Sequence, residues 1–550
     1  MAFELADFEK AGYGRDRLVQ LIPQLGVEIE RMDESVVSVN VTPNRPDLLD
    51  FIGLMRALNN FSKKRVPEEG FYSIRNDPEL SITVGSGVRG VRPYIAGIIA
   101  KNVDLSGNML KYAINFTEKF ADTYGRRRRK LAIGMHSLDA VDGDLVYDAA
   151  NSGNIVPLGD KEEMEFKEVM KKNEKGVEYG DTIHGLGSGK EVYPFLRDSK
   201  KVIALIPITN CEETRVTERT KSVFVDITGT SNVAVRNAAA VIASSFLYAK
   251  ADVYPVVVKA RGSEEAVPVF EQRKIRVSTR NMDRTLGIEA GRHDIIALGN
   301  RMGYVAAKYG NSVEFHVPPY RVDVLNEQDI IEDVAIAFGY DNIAPLPIVG
   351  YVDGLADEVS EFENRIAMLM VGLGYTEAIN SSLTNEAANF TKLMHMQAEG
   401  SYVSIADAKT MNVTMLRTAL LPGLLQNLGT SITERLPQRL FEIGRAYAME
   451  NGKLRESVNL CAASEHARAN FAEMRAAVDA VIAGVGVGEH TIGEHSDSAF
   501  IDGRCGRIEK GGETIGIFGE LHPQVLRNFG IEEPVVALEL KLVREIKYKV

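Results

Sequence analysis

Residues 318–343, PPYRVDVLNEQDIIEDVAIAFGYDNI, constrain the chain most, because they specify one helix and crowd Asp323, Asp329, Glu332 and Asp333 around it. Asn326 is an N-capping residue, and Ile330, Ile331, Val334, Ala337 and Phe338 follow a 3.6-residue period, so one face is apolar. Gly339 is placed to end the helix. Asp329, Glu332 and Asp333 then stand at i, i+3 and i+4, which predicts three carboxylates on one face. Like charges at that spacing destabilise an isolated helix by roughly a few tenths of a kcal/mol each. Two readings are open: a cation such as Mg²⁺, which prefers carboxylate oxygens, or a solvated acidic face meeting the positive end of the helix.

At 550 residues the chain exceeds a single core, since cores stop growing at roughly 250–300 residues, and a multidomain α+β protein is expected. Short apolar runs such as VVSVNV and an apparent helix at 48–58, entered through Pro46 and Asp47, suggest an N-terminal domain over 1–80, with a linker at 67–70. The β-rich runs VRPYIAGIIAKNV, VIALIPIT and SVFVDITGT, separated by helical stretches, suggest an α+β domain over 81–268. Residues 273–342 read as mostly helices, within a domain over 269–347. Beyond Pro347, a helix at 361–372, a helix after Pro422, a strand at 440–443 and a tight turn at Gly519 belong to a last domain, 348–550.

No apolar run approaches the roughly 18 residues of a membrane span, and the start, MAFELADFEK, lacks the basic and apolar regions of a signal peptide, so a cytoplasmic protein is expected. Cys211, Cys461 and Cys505 are isolated, which argues against a zinc site and a disulfide framework. A net charge of −12 excludes wholesale nucleic-acid binding through a basic surface. Arg126, Arg127, Arg128, Arg129 and Lys130 form one local patch, either a phosphate contact or a solvated basic surface. The GLGSGKE run at 185–191 has the glycines of a phosphate loop but not its spacing, and Glu191 replaces the Mg²⁺-holding hydroxyl, so a turn is expected there. In DITGT, Asp226 and Thr228 have as their plain reading a strand ending in a turn.

PPYRxD, D-x-x-E-D and AFGYDNI together resemble the signature of the phenylalanyl-tRNA synthetase β subunit. NRPD, within TPNRPDLLDFIGLMRAL at 42–58, resembles a motif of that family's N-terminal domain. YGRRRRKLAIGMHSLD resembles an editing-domain stretch, with Ser137 where Asp is common and Ala121 where a His is common. IPITNCEETRVTERTKSVFVDITGTS matches at Asn210, Asp226, Thr228, Gly229 and Thr230, with Cys211 and Ser231 standing in for Ser and Asp. MNVTMLRTALLPGLL, QRLFEIGRAY and GIFGELHPQVL follow in family order, so the matches run from about residue 42 to 531.

The resemblance implies an N-terminal domain, an α+β tRNA-binding and editing domain, a mostly helical domain of DNA-binding-like type carrying the acidic cluster, and a class II synthetase-like antiparallel sheet domain. That last domain lacks the Gly-rich strand and the helix ending in Glu-Arg that would clamp ATP, and so implies a catalytically silent partner. Length, with no added anticodon-binding domain, points to the archaeal and eukaryotic type. By resemblance the chain joins α subunits in an (αβ)₂ heterotetramer that attaches phenylalanine to its tRNA using ATP. Asp323, Asp329, Glu332 and Asp333 would hold Mg²⁺ at the contact with α, Arg126 to Lys130 would touch tRNA, and no membrane or DNA is involved.

Asn210, Asp226, Thr228, Gly229 and Thr230 would line a pocket that hydrolyses tyrosine from mischarged tRNA. A hydrophobic pocket rejects an isostere with one added hydroxyl by a factor on the order of only 10², so a second site is needed. Hydroxyl, amide and carboxylate groups suit recognition of a phenol and placement of a water. The alternatives are a scaffold and RNA-binding subunit whose editing pocket has decayed, and a free-standing metal hydrolase built on the acids.

Overall fold

The computed structural model describes residues 1–62, 68, 70–183, 192–260, 262–270, 273–288, 291–345, 347–348, 350, 353–396, 400–406, 408 and 410–543. It is a mixed α+β chain of two compact units, 1–347 and 348–550. The GLGSGKE run and most of the expected linker at 67–70 lie outside the described residues.

In the first unit the chain starts with the strands Ala2–Glu4, Glu28–Met32 and Val36–Asn40, the last in the middle. The helix expected at 48–58 is divided into a 3₁₀ turn, Pro46–Leu49, and an α-helix, Phe51–Phe61. Between them Asp50 adopts extended backbone, and its carboxylate accepts from the Ile52 N–H at 3.2 Å, so the sequence contains an N-cap inside what reads as one helix.

Residues 273–342 are not mostly helical. The strands Arg273–Ser278, Val305–Tyr309 and Ser312–Val317 form an antiparallel sheet packed with the helices Thr279–Leu286, Arg292–Arg301 and Glu327–Phe338. Val313, Phe315 and Val317 alternate inward along the central strand, with Ser312, Glu314 and His316 between them, the period of two of a half-buried strand. Phe3, Phe8, Leu54 and Phe61 share one continuous core with Phe315, Ile330 and Val334, so the first and last thirds of this unit are buried against each other.

Between them lies a mixed sheet of ten strands among the described residues. Its strand Ser222–Gly229 pairs antiparallel with Tyr94–Lys101 on one side and Leu131–Ser137 on the other. Val223, Val225 and Ile227 face the helices Met109–Asp122 and Asn232–Tyr248, through Phe116, Phe120, Ala238 and Ile242. Alternation therefore sends Phe224, Asp226 and Thr228 to the other face. This pleat places the site.

The second unit is a sheet of seven strands among the described residues. Leu460, Ala462, Val536 and Leu538 meet the helices Glu358–Gly372 and Phe471–Val485, whereas Cys461, Ala463, Val535 and Ala537 meet Leu421–Thr430 and Pro523–Phe529. The expected strand at 440–443 is part of Gln438–Glu450. Gly519 is not at a turn but inside the strand Glu513–Leu521, where an added Cβ would come 2.3 Å from the Arg504 carbonyl oxygen. Strand contact, not turn geometry, explains that glycine. All three cysteines are buried and free. Among the described residues no helix is long and apolar enough to cross a membrane.

Candidate active site

A cavity of about 380 Å³ opens on the sheet face that carries Asp226 and Thr228. Asn210, Arg128, Glu118, Lys175 and Arg215 also line it. Asp226 and Thr228 are buried, Asn210 half-buried. Across the strand pair, Gly134 faces Asp226, and a Cβ there would lie 2.2 Å from Asp226 Oδ1, so only glycine lets the carboxylate occupy this place.

Asp226 is held from behind. His136 Nε2 is 2.9 Å from Asp226 Oδ1, and His136 Nδ1 is 2.8 Å from Thr214 Oγ1, with all three side chains buried. The imidazole also stacks on Phe224, with ring centroids 5.8 Å apart. Asn210 donates from Nδ2 to the Met135 carbonyl at 3.1 Å. Arg92 donates from Nε to Thr228 Oγ1 at 3.1 Å and from its terminal nitrogens to the Thr228 and Arg128 carbonyls. Burial pushes the Arg92 guanidinium down to about 10.

The basic run is a turn that feeds this cavity. Arg126, Arg127 and Arg128 all adopt left-handed backbone, with φ of 51°, 52° and 61°. Left-handed conformation disfavours residues with a Cβ by roughly 1–2 kcal/mol each, so the turn needs tertiary anchors. Arg128 supplies one: it is buried, pairs with Glu118, donates to the Pro207 carbonyl at 2.7 Å, and lies 4.6 Å from the Tyr179 ring centroid. Burial raises the Glu118 carboxyl, but Arg128 and Lys175 outweigh it and hold the group below its ordinary value. Arg127 and Arg129 are exposed and pair with Glu178 and Asp181, at 3.6 and 2.8 Å. Arg126 is exposed, and Lys130 sits 4.7 Å from the Tyr124 ring centroid. The five basic residues thus divide between cavity wall and surface.

Gly229 and Thr230 do not line the cavity. An added Cβ at Gly229 would lie 2.5 Å from the Lys130 carbonyl oxygen, and Thr230 Oγ1 donates to the Arg129 carbonyl at 3.1 Å. They fasten the strand end to the basic turn. Ser231 caps the helix Asn232–Tyr248, and Ala121 is buried in the helix Met109–Asp122. His136, Thr214, Arg92, Glu118 and Lys175 were not singled out from sequence. His136 pairs with Phe224 on the neighbouring strand, one step along the same face from Asp226, a register that only the fold reveals.

The acidic segment behaves differently. The helix Glu327–Phe338 starts with a capping box: the Asn326 side chain accepts from the Gln328 N–H, and Asp329 Oδ2 accepts from the Leu325 and Asn326 N–H groups at 2.7 and 2.9 Å. Asp333 is buried and bound to Arg321 at 2.6 Å and to the Tyr304 hydroxyl. Asp323 also pairs with Arg321, at 2.8 Å. Burial opposes the charge on Arg321, yet Asp333, Tyr304 and Asp323 reverse this and raise it well above the ordinary range. Glu332 is exposed and accepts from the Tyr340 hydroxyl at 2.7 Å. Among the described residues no group of three acids, histidines or cysteines is arranged to hold a metal. The Arg321 guanidinium thus lies between two of the four acids, Asp323 and Asp333, while Asp329 caps the helix and Glu332 faces outward.

Family models match residues 81–250 (B3/4 domain), 275–340 (tRNA synthetase B5 domain) and 344–542 (phenylalanyl tRNA synthetase beta chain CLM domain). The phenylalanine–tRNA ligase beta subunit of Archaeoglobus fulgidus is 34% identical over 534 residues, covering 96% of this chain and 95% of that relative. The chain belongs to the phenylalanine–tRNA ligase β-subunit family. The β subunit of Methanosphaera stadtmanae is 33% identical over 554 residues, covering 97% of each chain. An N-terminal fragment of the β subunit from Pyrococcus horikoshii superimposes with a TM-score of 0.58 at 29% identity, covering 62% of this chain and 99% of that one. As a β subunit of this family, the chain is part of a ligase.

Proposed function

We propose that this β subunit works in the cytoplasm in an (αβ)₂ heterotetramer, in which the α subunit joins phenylalanine to its tRNA with ATP and Mg²⁺. This chain binds tRNA and removes tyrosine from mischarged tRNA, while the 348–550 unit packs against α as a class II-like domain without its own active site. The observation that carries the editing role is the cavity with a buried carboxylate, Asp226, on its wall and basic side chains, Lys175 and Arg215, about half exposed around it.

In this reading the tyrosine ring enters the cavity and its phenol donates to Asp226. Phenylalanine would bury the same acceptor unpaired, and an unpaired buried polar group is penalised by about 1–3 kcal/mol. Lys175 and Arg215, each beside a carboxylate partner, suit the phosphates of the tRNA 3′ end. Asn210 orients a water toward the ester carbonyl. Water oxygen bonds to that carbon, the ester bond to the ribose oxygen breaks, and that oxygen takes a proton from the water to become the ribose hydroxyl, leaving free tyrosine. Arg126, Arg127, Arg129 and Lys130 serve as outer tRNA contacts. Mg²⁺ serves ATP on the α subunit, and Asp323, Asp329, Glu332 and Asp333 belong to an ion site shared with α, to which Glu332 would bring an exposed carboxylate.

Tyrosyl-tRNA for phenylalanine, offered to the purified heterotetramer, should lose tyrosine well above the uncatalysed rate. Hydrolysis at the uncatalysed rate would instead favour a scaffold with a decayed pocket.

A further inference from the structure

We infer that His136 and Thr214, neither of which lines the cavity, are positioning residues that set its preference for an aminoacyl group bearing a phenol. The inference rests on the editing role proposed above. Asp226 can recognise a phenol only if its carboxylate holds one orientation. On one side Gly134 leaves it room, since a Cβ would be 2.2 Å from Oδ1. On the other, His136 Nε2 engages Oδ1 at 2.9 Å, which commits that oxygen to the protein.

The imidazole must in turn present a hydrogen at Nε2, because a bare nitrogen facing a carboxylate oxygen would repel it. In the neutral ring this requires Nδ1 to be bare and to accept a hydrogen bond. Thr214 Oγ1, at 2.8 Å, is the donor in reach. Its hydroxyl has a competing acceptor in the Cys211 carbonyl at 3.1 Å, but that carbonyl also receives the Thr214 backbone N–H. The hydroxyl hydrogen can thus go to Nδ1 without stranding the carbonyl. Phe224 stacked on the ring prevents it from turning away. The order of control runs from Thr214 to the His136 tautomer to the Asp226 carboxylate to the phenol.

The test uses Thr214→Val, of similar shape without the hydroxyl, and Thr214→Ser, which keeps it, each in the full heterotetramer. Deacylation is measured on tyrosyl- and phenylalanyl-tRNA for phenylalanine, with aminoacylation as control. Misplacing a recognition group by a fraction of an ångström lowers rates by about tenfold or more. Thr214→Val should therefore lower the tyrosine-to-phenylalanine ratio of kcat/KM by about tenfold, while Thr214→Ser keeps it and both retain aminoacylation. His136→Gln, whose amide can still donate toward Asp226, should fall between them. A general loosening of the fold would slow both substrates alike, so an unchanged ratio in Thr214→Val overturns the inference, even with the editing role intact. A wild-type heterotetramer that deacylates neither substrate overturns both.

Discussion

In the segment 318–343, acids adjacent in sequence part company in space: Asp329 caps its helix, Asp323 and Asp333 clamp Arg321, and Glu332 faces outward to Tyr340. Around the cavity the reverse holds, because Glu118, Arg128 and Asp226 on its wall and His136 and Thr214 behind Asp226 come from separate strands, turns and a helix. Both regions bury charge, but the first satisfies it within the fold, whereas the second leaves a carboxylate and an amide on a cavity wall. Charge density along the chain is thus a poor guide to which polar groups the fold leaves open; the cavity wall, a concave surface with convergent polar groups, is where they remain.

The comparison breaks first if Arg321 is dispensable. Its side chain is 2% exposed between two carboxylates, and removing one partner of a buried ion pair destabilises by about 3–5 kcal/mol, so Arg321→Met should lower unfolding free energy by that amount in denaturant titrations. A loss below roughly 1 kcal/mol would mean that the acids are not structural. Next, Gly134→Ala should destabilise by about 1–3 kcal/mol and displace Asp226, because the new Cβ has only 2.2 Å to the carboxylate oxygen. Thermal unfolding together with deacylation of tyrosyl-tRNA would show both effects.

A smaller effect concerns pH. The Glu118 carboxyl is depressed in the folded chain, so its stabilising contribution is fully present above about pH 4.5 and is lost as the pH falls through the lower folded value. Glu118→Gln should flatten the acid side of the stability profile while leaving the slope near neutrality unchanged, as followed by circular dichroism. Smallest of all, Glu332→Gln should change fold stability by no more than about 0.5 kcal/mol, since the side chain is exposed. If the same substitution raises the Mg²⁺ concentration needed for assembly with α, the outward acid contributes to a shared ion site.

Local signals were legible. Asn326 read as a helix start and, with Asp329, forms a capping box, and Gly339, with φ of 94°, ends the helix as expected. Asp226, Thr228 and Asn210 were identifiable and do share the cavity. What could not be read depends on partners distant in the chain. The left-handed turn at Arg126 to Arg128 is anchored by Glu118 and Pro207, and nothing in an arginine run encodes that conformation. Arg92 and Thr214 sit in unremarkable sequence and gain meaning only from Thr228 and His136. The strand 312–317 was within reach of the sequence, since Glu314 and His316 alternate with the inward-facing Val313, Phe315 and Val317, a period of two at odds with a mostly helical segment.

Parallel deacylation assays on wild-type and Asp226→Asn heterotetramers, using tyrosyl- and phenylalanyl-tRNA for phenylalanine, test the central claim most directly. Hydrogen bonds to charged groups are worth about 1.5–3 kcal/mol, so the substitution should slow removal of tyrosine by roughly 10- to 100-fold, with little change for phenylalanine and none in aminoacylation. Equal rates for wild type and Asp226→Asn on the tyrosyl substrate would contradict the assignment of this cavity as the editing site.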